Sequence, residues 1–321
     1  MNKLEDYAAF EGVTPWAGEV PQGFTVDFLG TLTDANFRTM FGVDPSKTGG
    51  HHVKTRLPVI EDGEGWFEAV NWVEAARAAR DHFVMITLGA CYGAQAVGSY
   101  RALQQLNPMP YKLVAVEPEP GNYEWTRKHM RDNGIDPDDQ WIVKSAISDK
   151  NDPVLFPIGS PGSGAQNCVS TNEPAARKIY AEQIISAGGA EETLRNLMLT
   201  NSTGITKDLV PGHDFPSEIK MVSAVTLKDV LSPFDVVDYV ESDIQQSEIL
   251  VFPPFMQLLK RKARRVHLGT HGRDVHHSLL QLFEADKWEI VFNYEPNAKF
   301  ECSLGSFECN DGVLTVRNPD L

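Results

Sequence analysis

The chain is poor in cysteine, in long apolar runs and in positive charge. Only four cysteines occur in 321 residues, Cys91, Cys168, Cys302 and Cys309, and none stands in C-x-x-C spacing. Neither a zinc ribbon nor a disulfide framework is indicated, and the four read as reduced thiols. No run approaches the roughly 18 apolar residues of a membrane span, and Met1-Asn-Lys-Leu-Glu-Asp6 lacks a basic stretch followed by an apolar core. The expectation is a cytoplasmic protein with no membrane partner. Lys and Arg number 29 against 44 Asp and Glu, for a net charge of -15. A nucleic-acid partner requires a basic face to neutralise phosphates, so that balance argues against one. The one basic cluster, Lys260-Arg-Lys-Ala-Arg-Arg265, reads as the solvated end of a helix, where cations complement the dipole. Internal repeats are absent too.

What the chain does contain is a strand, a glycine turn and a helix in succession. Phe83 to Leu88 is a short apolar run that ends at Gly89, and Ala94 to Leu106 then takes helical spacing. Lys112 to Val116 is a second buried strand that stops on Glu117, where Pro118 forbids simple continuation. The spacing predicts a right-handed βαβ crossover with a carboxylate at its second strand tip. A dinucleotide site wants G-x-G-x-x-G, whereas this turn reads Gly89-Ala-Cys-Tyr-Gly93. A phosphate cradle is poorly supported by that turn. S-adenosylmethionine needs no such cradle but does need a carboxylate for its ribose hydroxyls, and Glu117 follows Gly93 near the expected offset. That cofactor is favoured over NAD. The structural alternative is an ordinary βαβ unit with an N-capping acid.

Residues 1–80 read as an N-terminal extension, rich in Gly, Pro and Thr, with a lead-in helix over Glu64 to Arg80. Residues 81–321 form the main domain. Asn122 to Asn133 is expected as a helix, and Trp141 to Ile147 as a third strand. Residues 151–217 interrupt the alternation as an insertion that suits a substrate lid, with a helix over Pro174 to Ser186. Then come a strand over Asp235 to Glu241, a helical stretch around Pro253-Pro254, and a strand over Arg264 to Gly269. A helix over Val275 to Asp286 and a strand over Trp288 to Tyr294 follow, and Lys299 to Arg317 reads as a closing hairpin. The fold class is α/β, a doubly wound, mostly parallel sheet with an antiparallel edge hairpin. Ligands of such sheets sit outside the carboxyl ends of the strands. That rule selects the glycine turn, Glu117, Ser145 to Ile147, Asp243 and His271.

With those residues aligned, the chain resembles the FkbM family of S-adenosylmethionine-dependent O-methyltransferases over about residues 83–295. Thr87-Leu-Gly-Ala-Cys-Tyr-Gly93 is similar to the family's acid-x-Gly-Ala-x-x-Gly motif, and Val116-Glu-Pro-Glu-Pro120 to its acid before proline. Val225-Thr-Leu-Lys-Asp-Val230, Asp243-Ile-Gln-Gln-Ser-Glu248 and Val266-His-Leu-Gly-Thr-His271 are similar to three later segments, in the family's order. The resemblance implies a Rossmann-like class I methyltransferase sheet. It also implies a cofactor site at Thr87, Gly89, Ala90, Tyr92, Gly93, Glu117, Pro118, Ser145 and Ala146. Thr87 stands where the family has a carboxylate, Lys228 replaces an acid, Gln246 replaces glycine, and Glu241-Ser242 stands where a lysine is expected.

Methyl transfer from a sulfonium is an in-line displacement in which the acceptor oxygen must be aligned and lose its proton. Asp243 is expected to orient or deprotonate that hydroxyl as the catalytic residue, with His271 as the alternative base because its ordinary pKa of about 6.5 suits neutral pH. A divalent metal is not indicated, and Asp243 with Glu248 is the weak candidate pair for one. The expected acceptor is a small molecule or a carbohydrate. The other functions entertained are a methyltransferase-like binding subunit without turnover and an NAD-dependent oxidoreductase.

Overall fold

The computed structural model describes residues 9–158, 169–170, 218–302 and 304–321. Seven strands form the central sheet: β1 (Phe83–Leu88), β2 (Tyr111–Val116), β3 (Trp141–Val143), β4 (Tyr239–Ser242), β5 (Arg265–Thr270), β6 (Glu289–Tyr294) and β7 (Gly312–Arg317). Their spatial order is 6-7-5-4-1-2-3, with β1 to β5 parallel and β7 antiparallel to both β5 and β6. This is a doubly wound Rossmann-like sheet. The order of β1 to β5 reverses between β1 and β4, so a crevice opens at their carboxyl ends.

Among the described residues seven α-helices accompany the sheet: α1 (Glu64–Ala78), α2 (Ala94–Leu106), α3 (Pro120–Asp132), α4 (Leu227–Leu231), α5 (Glu248–Val251), α6 (Met256–Lys262) and α7 (Arg273–Ala285). Strand pleating divides β1 between two cores. Val84, Ile86 and Leu88 pack with Val230, Phe252, Leu259 and Phe283 from α4, the α5 end, α6 and α7. Phe83 and Met85 pack with Trp72, Val97, Leu103 and Met130 from α1 to α3. Gly98 lets α1 and α2 approach closely, since a Cβ there would lie 2.7 Å from the Trp72 ring. Truncating a core ring such as Phe83 to alanine would cost about 3–5 kcal/mol.

The extension is more structured than its composition suggests. Ala17–Val20 pairs with His51–Lys54 and Phe24–Val26 with Leu32–Asp34, both antiparallel. Val13, Phe28 and Leu29 enter the same core as α1 and α2. Asn133, just past α3, ties the extension down by accepting from Leu32 N and donating to Leu32 O, each at 2.9 Å.

Three expectations are corrected. The anticipated third strand is two: Trp141–Val143 joins the sheet, while Ala146–Ser148 leaves it to pair in parallel with Ala224–Thr226. The closing segment is not one hairpin. Ala298–Cys302 and Gly305–Cys309 form a hairpin of their own, and β7 inserts between β5 and β6. The basic cluster is only partly solvated, because Arg265 is 6% exposed and donates to Asn71 Oδ1, and Arg264 pairs with the buried Asp238 at 2.7 Å. Of the insertion, Val154–Ile158 pairs with Val169–Ser170 and with Glu218–Val222. The helix anticipated over Pro174 to Ser186 lies outside the described residues. No described helix is long and apolar enough to cross a membrane.

Candidate active site

The turn after β1 needs glycine for two separate reasons. Gly89 has φ +81°, and a Cβ there would lie 2.2 Å from the Asp243 carbonyl, so β1 and β4 touch through bare backbone. Gly93, at φ +80°, starts α2. Between them Gly89 N and Ala90 N both donate to Val116 O at 3.0 Å. Cys91 takes φ 51° and donates its N–H to Glu117 Oε2 at 2.7 Å. From α3, Thr126 Oγ1 donates to Cys91 O at 2.8 Å and His129 Nδ1 meets Tyr92 O at 3.0 Å. From the extension, Arg38 Nη2 donates to the Tyr92 hydroxyl and Phe37 lies 4.2 Å from its ring.

Glu117 sits at the tip of β2, as anticipated, and is only 4% exposed. Its Oε1 accepts from Glu119 N at 2.8 Å while Oε2 holds the turn. Burial pushes its pKa up to about 8, against those hydrogen bonds. The cap of α3 is Glu119, whose Oε2 accepts from Asn122 N at 2.7 Å. The N-capping alternative for Glu117 is thereby set aside. Pro118 is buried behind it. Ser145 and Ala146 follow β3 and are both buried, with Ser145 Oγ 2.7 Å from Ser223 Oγ.

Thr87 has no exposed surface, and its hydroxyl donates to Glu241 Oε2 on the neighbouring strand. The carboxylate absent from position 87 is thus present one strand away, at the paired position of β4. Glu241 is 3% exposed, and burial raises its pKa well above the carboxylate range.

Beyond β4 and β5 the site becomes unbalanced. Asp243 keeps 44% of its side-chain surface open to solvent. The protein atoms around it nonetheless lift its pKa to about 6, with His271 opposing and Asp311 assisting. His271 Nε2 lies 3.2 Å from Asp311 Oδ1, 3.5 Å from Asp243 Oδ1 and 2.7 Å from the Gln245 amide. Burial alone would lower its pKa, but the Asp311 hydrogen bond and the charges of Asp243, Asp311 and Glu248 prevail and raise it to about 9. These neighbours favour the charged imidazolium form of His271. Gln246 holds φ 76°, so the backbone keeps a glycine-like conformation without the glycine.

Glu248, fully buried, accepts from Ile244 N through Oε1 at 2.8 Å. Its Oε2 has no hydrogen-bond partner among the described residues, and burial lifts its pKa to about 7. Among the described residues no group of three or more His, Cys, Asp or Glu is placed to hold an ion. The other late histidines are structural. His267 meets Thr315 Oγ1 at 2.8 Å, and His276 lies between Thr270 and Asn293. The Thr226 to Asp229 segment is a capping box for α4, which explains its Thr and second acid without a role in the crevice.

Sequence reading missed Glu241, Asp311, Glu68 and Arg38. Glu241 was the most findable, as an acid inside the apolar run Tyr239-Val-Glu-Ser242. The others come from distant segments and carry no local pattern.

No family model and no curated protein matches the chain. Among solved structures, it is similar to the precorrin-6Y C5,15-methyltransferase of Geobacter metallireducens, at 9% identity over 78% of this chain and 86% of that one, with a TM-score of 0.39. The C-terminal domain of the Rhodobacter capsulatus precorrin-6Y C5,15-methyltransferase gives 11% identity over 82% and 96%, also at 0.39. The methyltransferase FkbM of Methylobacillus flagellatus gives 9% identity over 78% of this chain and 53% of its own length, again at 0.39. The sheet order and its antiparallel β7 describe a doubly wound, Rossmann-like α/β fold.

Proposed function

We propose that the chain is an S-adenosylmethionine-dependent O-methyltransferase acting on a hydroxyl of a sugar, glycan or secondary metabolite. The observation that carries this reading is Asp243 with His271 at the tips of β4 and β5, directly against Gly89 of the turn after β1. The donor supplies an electrophilic methyl on sulfur; the S–CH3 bond breaks as the O–CH3 bond forms, and the acceptor proton must leave. Asp243, with a pKa raised to about 6, is mostly ionised at neutral pH and basic enough to take that proton. His271, charged, holds the acceptor oxygen as a hydrogen-bond donor. Glu117 would meet the ribose with the lone pairs its two backbone partners leave free.

The residues present suit a cationic donor. Buried Glu241 and Glu248 and half-buried Glu68 are carboxyl groups that burial holds above the usual carboxylate range, and a cationic donor beside them would favour their ionised forms. Cys91 and Tyr92 offer the pyrophosphate of NAD no cradle. One observation favours a binding subunit without turnover: both oxygens of Glu117 already accept backbone N–H groups.

Calorimetric titration with adenosylmethionine, adenosylhomocysteine and NAD separates these readings. The expected result is binding of the two adenosyl ligands and none of NAD. With an acceptor in hand, Asp243→Asn should slow transfer about 100- to 10,000-fold while adenosylhomocysteine affinity stays within about threefold. Tighter binding of NAD, or unimpaired transfer in that variant, overturns the proposal.

A further inference from the structure

Behind the glycine turn lies a cavity of about 310 Å³, roofed by the extension and walled by α1 and α3. Thr31 and His129 line it, are each 4% exposed, and leave Thr31 Oγ1 and His129 Nε2 without a hydrogen-bond partner among the described residues. The histidine's state follows from its other nitrogen. The Tyr92 carbonyl can only accept, so Nδ1 carries the proton. Burial pushes the ring down to about 4, which keeps it neutral and leaves a lone pair on Nε2. The nearby Leu32 carbonyl, another acceptor, cannot satisfy that lone pair. Thr31 stands beside Asp27 closely enough to lower that acid's pKa, though short of hydrogen-bond geometry.

The charged walls lean the same way. Asp27 and Glu68 supply carboxylates, and the one lining arginine, Arg38, is engaged by the Tyr92 hydroxyl and stacked 5.0 Å over its ring. Asp62 and Gly65 also line a second cavity of about 450 Å³, to which Glu61, Glu64 and Glu308 contribute. Glu68 interacts electrostatically with Asp243, so the chamber adjoins the proposed base. Three carboxyl side chains, Asp27, Asp62 and Glu68, line the cavity against one arginine. An anionic ligand would be repelled, and an apolar one would leave buried polar atoms unpaired.

We propose that this chamber binds a small hydroxylated amine, whose ammonium meets Glu68 and Asp27 and whose hydroxyls donate to His129 Nε2 and Thr31 Oγ1. That this molecule is the methyl acceptor rests on the methyltransferase reading; the binding itself does not. The extension is then a recognition element, and phosphorylated or nucleotide-linked acceptors are excluded.

Saturation-transfer NMR and calorimetry on the full chain without donor test this, with glucosamine, glucose and glucose 6-phosphate as probes. Glucosamine should bind at least about fivefold more tightly than glucose, and glucose 6-phosphate should not displace it. Glu68→Gln, which preserves shape, should weaken glucosamine about tenfold, and Thr31→Val should weaken it less. Absence of glucosamine binding, equal binding of the phosphate, or full affinity in Glu68→Gln overturns the proposal. Glucosamine binding in a chain that ignores adenosylhomocysteine would keep the chamber and remove the methyl donor.

Discussion

At the tips of β1 and β2 the polar groups are paired with one another: Glu117 takes two backbone N–H groups, Thr126 and His129 take two carbonyls, and Glu119 caps its own helix. At the tips of β4 and β5 they are not. Glu248 Oε2, Ser242 Oγ and His271 Nδ1 are buried without partners among the described residues, and Asp243, Glu248 and His271 all have raised pKa values. Around Glu117 the groups largely hold one another, whereas the tips of β4 and β5 keep several polar atoms that a ligand would complete. Stability should therefore reside in the first half and chemistry in the second.

The sharpest break in that division is Thr87, where the two halves meet. Thr87→Glu would put a second carboxyl beside Glu241 in a strand with no exposed surface. A buried pair of acids without a cation should cost about 3 kcal/mol or more and lower the melting temperature by several degrees. Thr87→Glu combined with Glu241→Thr restores one acid and one hydroxyl, and should recover most of the loss. A single variant as stable as the parent, by thermal melt, would mean that Glu241 is not confined as described.

Glu117→Ala tests the paired half. Removing the carboxylate leaves the amides of Cys91 and Glu119 unpaired, at about 1–3 kcal/mol each, in addition to any weakening of ribose binding. The apo protein should melt several degrees lower and also lose adenosylhomocysteine affinity. Loss of affinity without loss of stability would show Glu117 to be free for ligand and not committed to the turn.

Much of the scaffold was legible because its rules are local. Apolar runs punctuated by glycine and proline located β1, β2, α2 and α3, and Asn133-Gly134 marked the end of α3 where Gly134 takes φ +77°. β7 escaped because Lys299 to Arg317 was read as one alternating unit. The unbroken apolar stretch Gly312-Val-Leu-Thr-Val316 within it is the signal of a strand buried on both faces. The state of the site was less legible. His267 sinks to about 3 through burial and the Arg265 charge, while His271, four residues on, rises to about 9 because the Asp311 hydrogen bond and the charges of Asp243, Asp311 and Glu248 outweigh burial. No spacing rule carries that information.

The unpaired half should be visible in the pH dependence of stability. Glu68 and Glu248 at about 7, Glu117 at about 8 and His271 at about 9 are all raised above their unfolded values. The folded state thus binds more protons, so their stabilisation is full at low pH and is lost as pH rises through those values. His129 and His267, lowered to about 4 and about 3, act oppositely and destabilise the fold as pH falls below about 6.5. The apo melting temperature should peak in mildly acidic solution and fall by several degrees toward pH 8.5. Glu248→Gln should flatten the alkaline fall, and adenosylmethionine, by supplying positive charge, should bind better at pH 8 than at pH 6. An apo melting curve that rises steadily to pH 8.5 would contradict the assignment of uncompensated carboxylates.

The smallest effect is expected at two adjacent glutamines, and it separates scaffold from chemistry within a single turn. Gln245 and Gln246 hold φ 54° and φ 76°, a left-handed pair that costs side-chain-bearing residues roughly 1 kcal/mol each. Glycine relieves the strain but adds freedom to the unfolded chain, so Gln246→Gly should yield a net gain of only about 0.5 kcal/mol. The same change at Gln245 relieves similar strain, yet removes the amide that lies 3.2 Å from Asp243 Oδ1 and 2.7 Å from His271 Nε2. Gln245→Gly should therefore gain nothing in stability and shift the His271 titration, followed by its imidazole NMR signals. Gln246→Gly should raise the melting temperature by a degree or two and leave that titration in place. If the two variants behave alike in both measurements, the turn is a backbone device only, and Gln245 takes no part in setting the charge of the Asp243–His271 pair.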